Sequence, residues 1–265
     1  MSIESFIAEL WQSYQEVTPQ ATAIHQLFLE NGESVINDHV AFRTFNKSPI
    51  DLEKIRGLLE QLGYQYAETY HFDEKRLRAY SFVPPARNFP LIFASELLTE
   101  QLSESSQSII NQLLAQIPEA LTESPEVLSA GLLWKPPTWD QYKKLRAESE
   151  YAAWLSTMGM RPNHFTISVN HLKKMDEIGD VMTAVRMSGF NLNGIGGIVK
   201  GSPSLLLEQG STMADKIDFE FGDGECHAIP TCFYEFAKRC KNKNQELFTG
   251  FIKESANLIF GSTGP

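Results

Sequence analysis

An α+β fold built from two β-α-β-β-β modules is what this sequence predicts, with helices added at the N-terminus and between the modules. Three observations carry it. Residues 38–45 (DHVAFRTF) and 163–170 (NHFTISVN) both read as strands, and each carries a histidine at its start. Each is followed by an amphipathic helical stretch closed by a glycine, Gly63 in the first case and Gly189 in the second. After each helix come three further strand-like segments, so one order of elements occurs twice.

Taken in order, residues 3–31 read as helix, with Ile3, Phe6, Ile7, Leu10, Trp11 and Tyr14 at helical spacing, a break at Pro19 and a second amphipathic run through 27–32. The first module covers 32–96. Its strand at 38–45 leads to Ser48-Pro49, an N-cap followed by a first-turn proline, then a helix over 50–62 and strands near 64–70, 77–83 and 91–94. Residues 97–160 form a helical insertion ending in an aromatic run that includes Trp134, Trp139, Tyr142, Tyr151 and Trp154. Such a run is too apolar to stay solvated, so it reads as a covering subdomain and not a linker. The second module covers 161–240, with its helix over 173–188 and strands near 194–200, 204–209 and 231–236. A C-terminal helix and tail occupy 241–265, and the whole of 1–265 reads as a single compact metalloenzyme domain.

Side chains alternate along a strand, so His39, Ala41, Arg43 and Phe45 share one face while Val40, Phe42 and Thr44 share the other. Four residues of strand span roughly 13 Å, a gap that a long arginine can close over a small anion. The pattern suggests a carboxylate held between a metal and Arg43. The alternative is a buried histidine bonded to backbone and an arginine in a salt bridge. In the second strand His164, Thr166 and Ser168 share a polar face opposite Phe165, Ile167 and Val169. Glu235 alternates with Phe233 and Ala237, an odd place for a carboxylate without a partner. Two histidines and one carboxylate with open positions form the facial set of non-heme Fe(II) oxygenases.

The stretches DHVAFRTF, RPNHFTISVN, GIGGIVKGSP, LLLEQGSTMAD and FYEFAKR together resemble the 2-oxoadipate dioxygenase/decarboxylase family, also called hydroxyglutarate synthase. The resemblance implies iron ligands at His39, His164 and Glu235 and a substrate-gripping arginine at Arg43, with His39 and His164 bordering the substrate. It implies conversion of 2-oxoadipate and O₂ to 2-hydroxyglutarate and CO₂, late in lysine catabolism. The paired modules are similar to the vicinal-oxygen-chelate superfamily, which implies a half-open barrel around one metal. In that superfamily the last strand of each module can donate a carboxylate, which nominates Glu96 as well. Two rival readings stand beside this one: a glyoxalase-like lyase or isomerase using another divalent metal, which a fourth ligand such as Glu96 would favour, and a non-catalytic carboxylate-binding protein.

Lys200, Gln209 and Ser211 are further pocket candidates, Lys200 as a second cation and the others as hydrogen-bond donors to a carboxylate. His227, shortly before the Glu235 strand, is a candidate to support a ligand. His25, His71 and His171 read as structural or solvated, and Glu220 and Glu225 as part of a solvated turn. The glycines at 194–201 lack the GK[ST] ending of a phosphate loop. Cys226, Cys232 and Cys240 are odd in number and lack the paired knuckle of a structural zinc site, so they read as reduced thiols. A net charge of -10 argues against nucleic acid or an anionic membrane as partner. Neither a basic n-region with an apolar core nor a long apolar span is visible, and a cytoplasmic address is the expectation. Oligomeric state is left open.

Overall fold

The apolar stripe of the N-terminal region resolves into α1 (Ile3–Gln15) and α2 (Pro19–Glu30) in the computed structural model, which describes residues 1–264. Ser2 caps α1 by accepting from the Ser5 amide at 3.2 Å. Pro19 opens α2, where a missing N–H costs nothing. Both helices bury their apolar faces against the second half of a large sheet. Trp11 meets the edge of Phe165 at 5.0 Å, Phe28 lies 6.0 Å from Phe236, and the Tyr14 hydroxyl donates to the Phe233 carbonyl at 2.5 Å. Each fully buried aromatic of this kind contributes about 1.5–3 kcal/mol through burial.

That sheet has eight strands: β1 (Asn37–Phe45), β2 (Gln65–Phe72), β3 (Leu77–Val83), β4 (Leu91–Leu97), β5 (Pro162–Ser168), β6 (Lys200–Ser202), β7 (Leu207–Ser211) and, after the separate hairpin β8 (Lys216–Glu220) and β9 (Cys226–Pro230), β10 (Phe233–Arg239). The order β2-β3-β4-β1-β5-β10-β7-β6 curls into a half-barrel. Its halves mirror each other. β1 pairs in parallel with β4, β5 in parallel with β10, and the halves meet along an antiparallel β1–β5 seam. Two helices complete the modules, α3 (Leu52–Gln61) in the first and α7 (Ile178–Met187) in the second.

Between the modules run α4 (Glu104–Leu114), α5 (Trp139–Glu148) and α6 (Glu150–Met158). The insertion is fastened to both halves by buried aromatic polar tips. The Tyr151 hydroxyl donates to the Ser95 carbonyl at 2.6 Å and accepts from the Thr44 amide at 3.0 Å, while the Trp154 indole N–H donates to the Thr231 carbonyl. α8 (Lys253–Ile259) touches β2, β6 and β7, so it bridges the two free edges of the half-barrel. A single 3₁₀ turn, Phe260–Thr263, follows it.

Several elements depart from the sequence expectation. The first-module helix starts at Leu52 and its cap is Asp51, whose carboxylate accepts from the Lys54 amide at 2.9 Å; Ser48 does not cap it. The helix expected from residue 173 starts only at Ile178. Buried Glu33 binds the amides of Lys173 and Lys174 at 2.5 and 3.0 Å, which holds that segment out of the helix. Residues 194–199 are not strand, because Gly196 and Gly197 adopt φ of 69° and 105°, and pairing begins at Lys200. Glu220 lies in β8 and not in a turn, which is confined to the residues between β8 and β9.

Candidate metal centre

Cross-strand register builds the centre. Around the seam His39 of β1 sits opposite Thr166 of β5, and Thr166 sits opposite Glu235 of β10, so one row across three strands reads His39, Thr166, Glu235. His164 lies two residues along β5 on the same face. Because Thr166 is short, the flanking side chains reach across it. The His39 Nε2 comes to 3.6 Å from Glu235 Oε1, and the His164 Nε2 to 3.1 Å from Glu235 Oε2. One donor atom from each of the three lies within 4.8 Å of the others. All three side chains are buried, and Glu235 Oε2 accepts no hydrogen bond. A buried carboxylate with one oxygen left bare and an imidazole nitrogen beside each oxygen fits a metal ion, which would replace the missing partner.

Both histidines are aimed by the residue just before them. The Nδ1 of His39 meets Asp38 Oδ1 at 2.7 Å, and the Nδ1 of His164 meets Asn163 Oδ1 at 3.2 Å. Tying Nδ1 to an oxygen places the proton there and leaves the Nε2 lone pair facing the centre. Thr166 then donates its hydroxyl to His39 Nε2, 3.1 Å away. Burial, with His39 and Arg43 nearby, holds His164 well below the ordinary histidine range, which keeps it neutral. Burial pushes Glu235 up, against the pull of His39 and of Gln209, whose amide donates to Oε1 at 2.6 Å. Burial alone would raise Asp38 too, but Arg239 and His39 hold it well below the usual carboxylate range.

Arg43 is 3% exposed, and no carboxylate of the described residues pairs with it. Its Nη2 reaches Thr263 Oγ1 at 3.2 Å, its Nε has no partner, and its guanidinium lies 4.9 Å from the Trp154 ring centre and 5.0 Å from that of Tyr151. Burial lowers its pKa to about 10, still charged at neutral pH. A buried cation with spare donors can receive an anion. It stands between two spaces. An inner cavity of about 30 Å³ is bordered by His39, His164, Gln209, Glu235, Phe93 and Phe251. An outer pocket of about 260 Å³ is bordered by Glu74–Leu77 and Glu148–Tyr151, and Arg43 and Phe260 border both.

The remaining candidates fall elsewhere. Gln209 reaches the centre through Glu235. Lys200 is buried and donates to the Asn193 carbonyl at 2.6 Å. Its ammonium is drawn down to about 8 by burial, against the opposing pull of Glu235. Ser211 is taken up by Ser262 at 2.9 Å. Glu96 points away from the centre: its carboxylate accepts from the Leu52 amide at 2.9 Å and pairs with Arg78 at 2.6 Å, so it anchors the start of α3. His227 is on the hairpin, stacked on Trp139 at 3.9 Å and bonded to Glu225 at 2.7 Å, and supports no ligand. His25 packs on Trp11, His71 is exposed, and His171 bonds Ser168 at 2.9 Å. The three cysteines are free thiols. Asp38, Asn163, Phe93, Phe251 and Arg239 were not singled out by sequence reasoning. For Asp38 and Asn163 a signal existed, since each immediately precedes its histidine.

The family described as 2-oxoadipate dioxygenase/decarboxylase matches residues 6–262. The chain belongs to this family. A relative in Oryza sativa subsp. japonica, described as 2-oxoadipate dioxygenase/decarboxylase, chloroplastic/amyloplastic, is 35% identical over 246 residues, covering 88% of this chain and 68% of that protein. Among solved structures, the hydroxyglutarate synthase of Oryza sativa in complex with 2-oxoadipate superposes with a TM-score of 0.92 at 33% identity, over 98% of this chain and 91% of that one. A candidate hydrolase from Shewanella frigidimarina superposes with a TM-score of 0.90 at 43% identity, over 95% and 98%. The fold is also that of a candidate glyoxalase superfamily protein from Ralstonia eutropha, with a TM-score of 0.78 at 20% identity. The vicinal-oxygen-chelate-like half-barrel expected from the paired modules is therefore the fold observed. Among the described residues no helix is long and apolar enough to cross a membrane.

Proposed function

We propose that this chain is an Fe(II)-dependent dioxygenase and decarboxylase that converts 2-oxoadipate and O₂ to 2-hydroxyglutarate and CO₂, with His39, His164 and Glu235 as the metal ligands. The observation that carries the reading is the pairing of a buried Glu235 carboxylate, one oxygen bare and an imidazole beside each, with a buried, unpaired Arg43 on the same strand as His39. The rice relative, described as a complex with 2-oxoadipate, supports the substrate class. Iron would supply a Lewis-acid and redox centre with open positions for the 2-oxo acid and for O₂.

The residues of this chain divide the remaining work. Asp38 and Asn163 hold the two imidazoles with Nε2 inward, and Gln209 fixes Glu235 through Oε1. Arg43 grips a carboxylate through its planar fork, with Tyr151 and Trp154 keeping the guanidinium in place and partly dry. The inner cavity has room for a few water molecules at most, so a six-carbon diacid extends past it toward the outer pocket, and Arg43 stands where the two meet. Phe93, Phe251 and Phe260 exclude water around the reacting carbons. The reaction belongs to lysine catabolism, and the address is cytoplasmic.

Anaerobic reconstitution with Fe(II), followed by oxygen uptake and CO₂ release across a panel of 2-oxo acids, tests the proposal. Uptake and release in equal amounts with 2-oxoadipate, yielding 2-hydroxyglutarate, is the expected result. Absence of uptake with every 2-oxo acid, or oxygen-independent turnover supported equally by Zn²⁺, would overturn it.

A further inference from the structure

Arg239 closes β10, four residues beyond Glu235, and its guanidinium serves two distant segments at once. Its Nε and Nη2 form a fork on Asp38, at 2.8 and 2.9 Å, and Asp38 in turn holds the Nδ1 of His39. Its Nη1 donates to the carbonyls of Phe248 and Gly250, at 3.0 and 2.8 Å. The group is 5% exposed, and Phe251 covers it at 5.3 Å. The same Phe251 ring lies edge-on to the His39 ring at 4.9 Å and borders the inner cavity. Residues 248–251 thus touch His39 twice, once directly and once through Arg239 and Asp38.

We propose that Arg239 is a positioning residue that couples the seating of residues 248–251 to the metal-binding orientation of His39. The inference rests on the metal centre proposed above. A carboxylate fixes an imidazole only if it is itself fixed. Asp38 is fixed by the fork, and the fork is oriented by two carbonyls that are present only while the segment is seated. When the segment leaves, Arg239 loses both acceptors and its aromatic cover, and Asp38 is free to turn from His39. Coupling of this kind is reciprocal, so a bound metal must also hold the segment down. The segment whose Phe251 borders the inner cavity is in this way tied to the strength with which the metal is held.

Hydrogen exchange on the full chain, with and without Co²⁺ as a redox-stable probe, reads the coupling directly. In the unaltered protein Co²⁺ slows exchange at the Phe248 and Phe251 amides, which donate to the Cys240 carbonyl and the Tyr70 hydroxyl. Arg239→Lys keeps a charge beside Asp38 but loses the fork and the two carbonyl bonds. It is expected to raise the Co²⁺ dissociation constant by about 10–100-fold and to abolish the Co²⁺-dependent protection. Wild-type affinity in Arg239→Lys, or weakened affinity with the protection intact, overturns the proposal. If that variant does not fold, the unaltered protein decides: Co²⁺ binding without slower exchange in residues 248–251 defeats the coupling alone. Failure of the unaltered protein to bind Co²⁺ at all defeats the metal centre, and the coupling with it.

Discussion

Superposing the logic of one module on the other shows the same scaffold used for opposite charges. His39 of β1 corresponds to His164 of β5 at the head of each seam strand, and the residues two further on are Ala41 and Thr166. Across the parallel pairing Ala41 faces Phe93 of β4, whereas Thr166 faces Glu235 of β10. The position that gives the second module a buried carboxylate gives the first a phenyl ring. Four residues beyond the histidine the difference reverses, with Arg43 in the first module and Ser168 in the second. In the proposed site one half would offer a carboxylate to a metal and the other a guanidinium to an acid, which leaves the region in front of Phe93 for reactants. Glu96 is not the counterpart of Glu235, since it sits opposite Thr44 and on the far face.

The largest effect expected from disturbing this asymmetry is at Glu235. Glu235→Gln removes the anionic donor and should weaken Fe(II) binding by more than about 100-fold, beyond the range seen for outer partners of a metal site, as read by competitive chelation. Phe93→Glu asks the reverse question by placing a carboxylate at the mirrored position. Iron should bind more tightly and turnover should collapse, because a fourth protein ligand fills a position that substrate or O₂ needs. Unchanged affinity and turnover in Phe93→Glu would show that the mirror relation has no chemical meaning.

Next comes the cation of the first module. Arg43→Ala should cost about 2–5 kcal/mol in kcat/KM for a dicarboxylic 2-oxo acid, with Arg43→Lys in between because it keeps charge without the fork. Iron content should stay at the wild-type level and simple 2-oxo monoacids should change little. Full activity of Arg43→Ala on 2-oxoadipate would remove the arginine from substrate recognition. A smaller change is expected for Glu96→Ala, which strips the Leu52 amide and Arg78 of their acceptor. Chemical denaturation should show a loss of about 1–3 kcal/mol with iron affinity unaltered.

Much of the centre is legible because its clues are local. Strand alternation alone places His39 with Arg43 and His164 with Thr166, and no knowledge of partners is needed. What stays hidden depends on register between distant strands. Phe93 gains meaning only once β4 is laid beside β1, and Arg239 only once β10 ends near Asp38 and residues 248–251 return to it. The same limit explains the fold-level misses. β8 alternates in burial but exposes polar side chains on an isolated hairpin, so its sequence resembles a loop. The late start of α7 is imposed by Glu33, about 140 residues away in sequence.

The smallest effect concerns Lys200, a charge in the second module for which the first has no match. A lysine held at about 8 when folded and near 10.5 when free binds fewer protons folded than unfolded across that window. Stability therefore rises as pH increases from about 8 toward 10.5. Denaturation midpoints should climb over this range in the unaltered protein and less steeply in Lys200→Met. Equal slopes would show that the ammonium is solvated.

The antiparallel seam between β1 and β5 also has a kinetic meaning. His39 and His164 lie on its two strands, separated by the whole of the first module and the helical insertion. Neither strand can complete the proposed ligand set alone, and the contacts that join them are far apart in sequence, 127 residues for His39 and Thr166, so loop-closure entropy delays them. At the proposed centre metal affinity would arise only when the two halves have docked, and a bound ion would stabilise the docked state by an amount that grows with the logarithm of its free concentration over its dissociation constant. A metal ion at the proposed centre would in this sense be a term in the folding equilibrium of the protein.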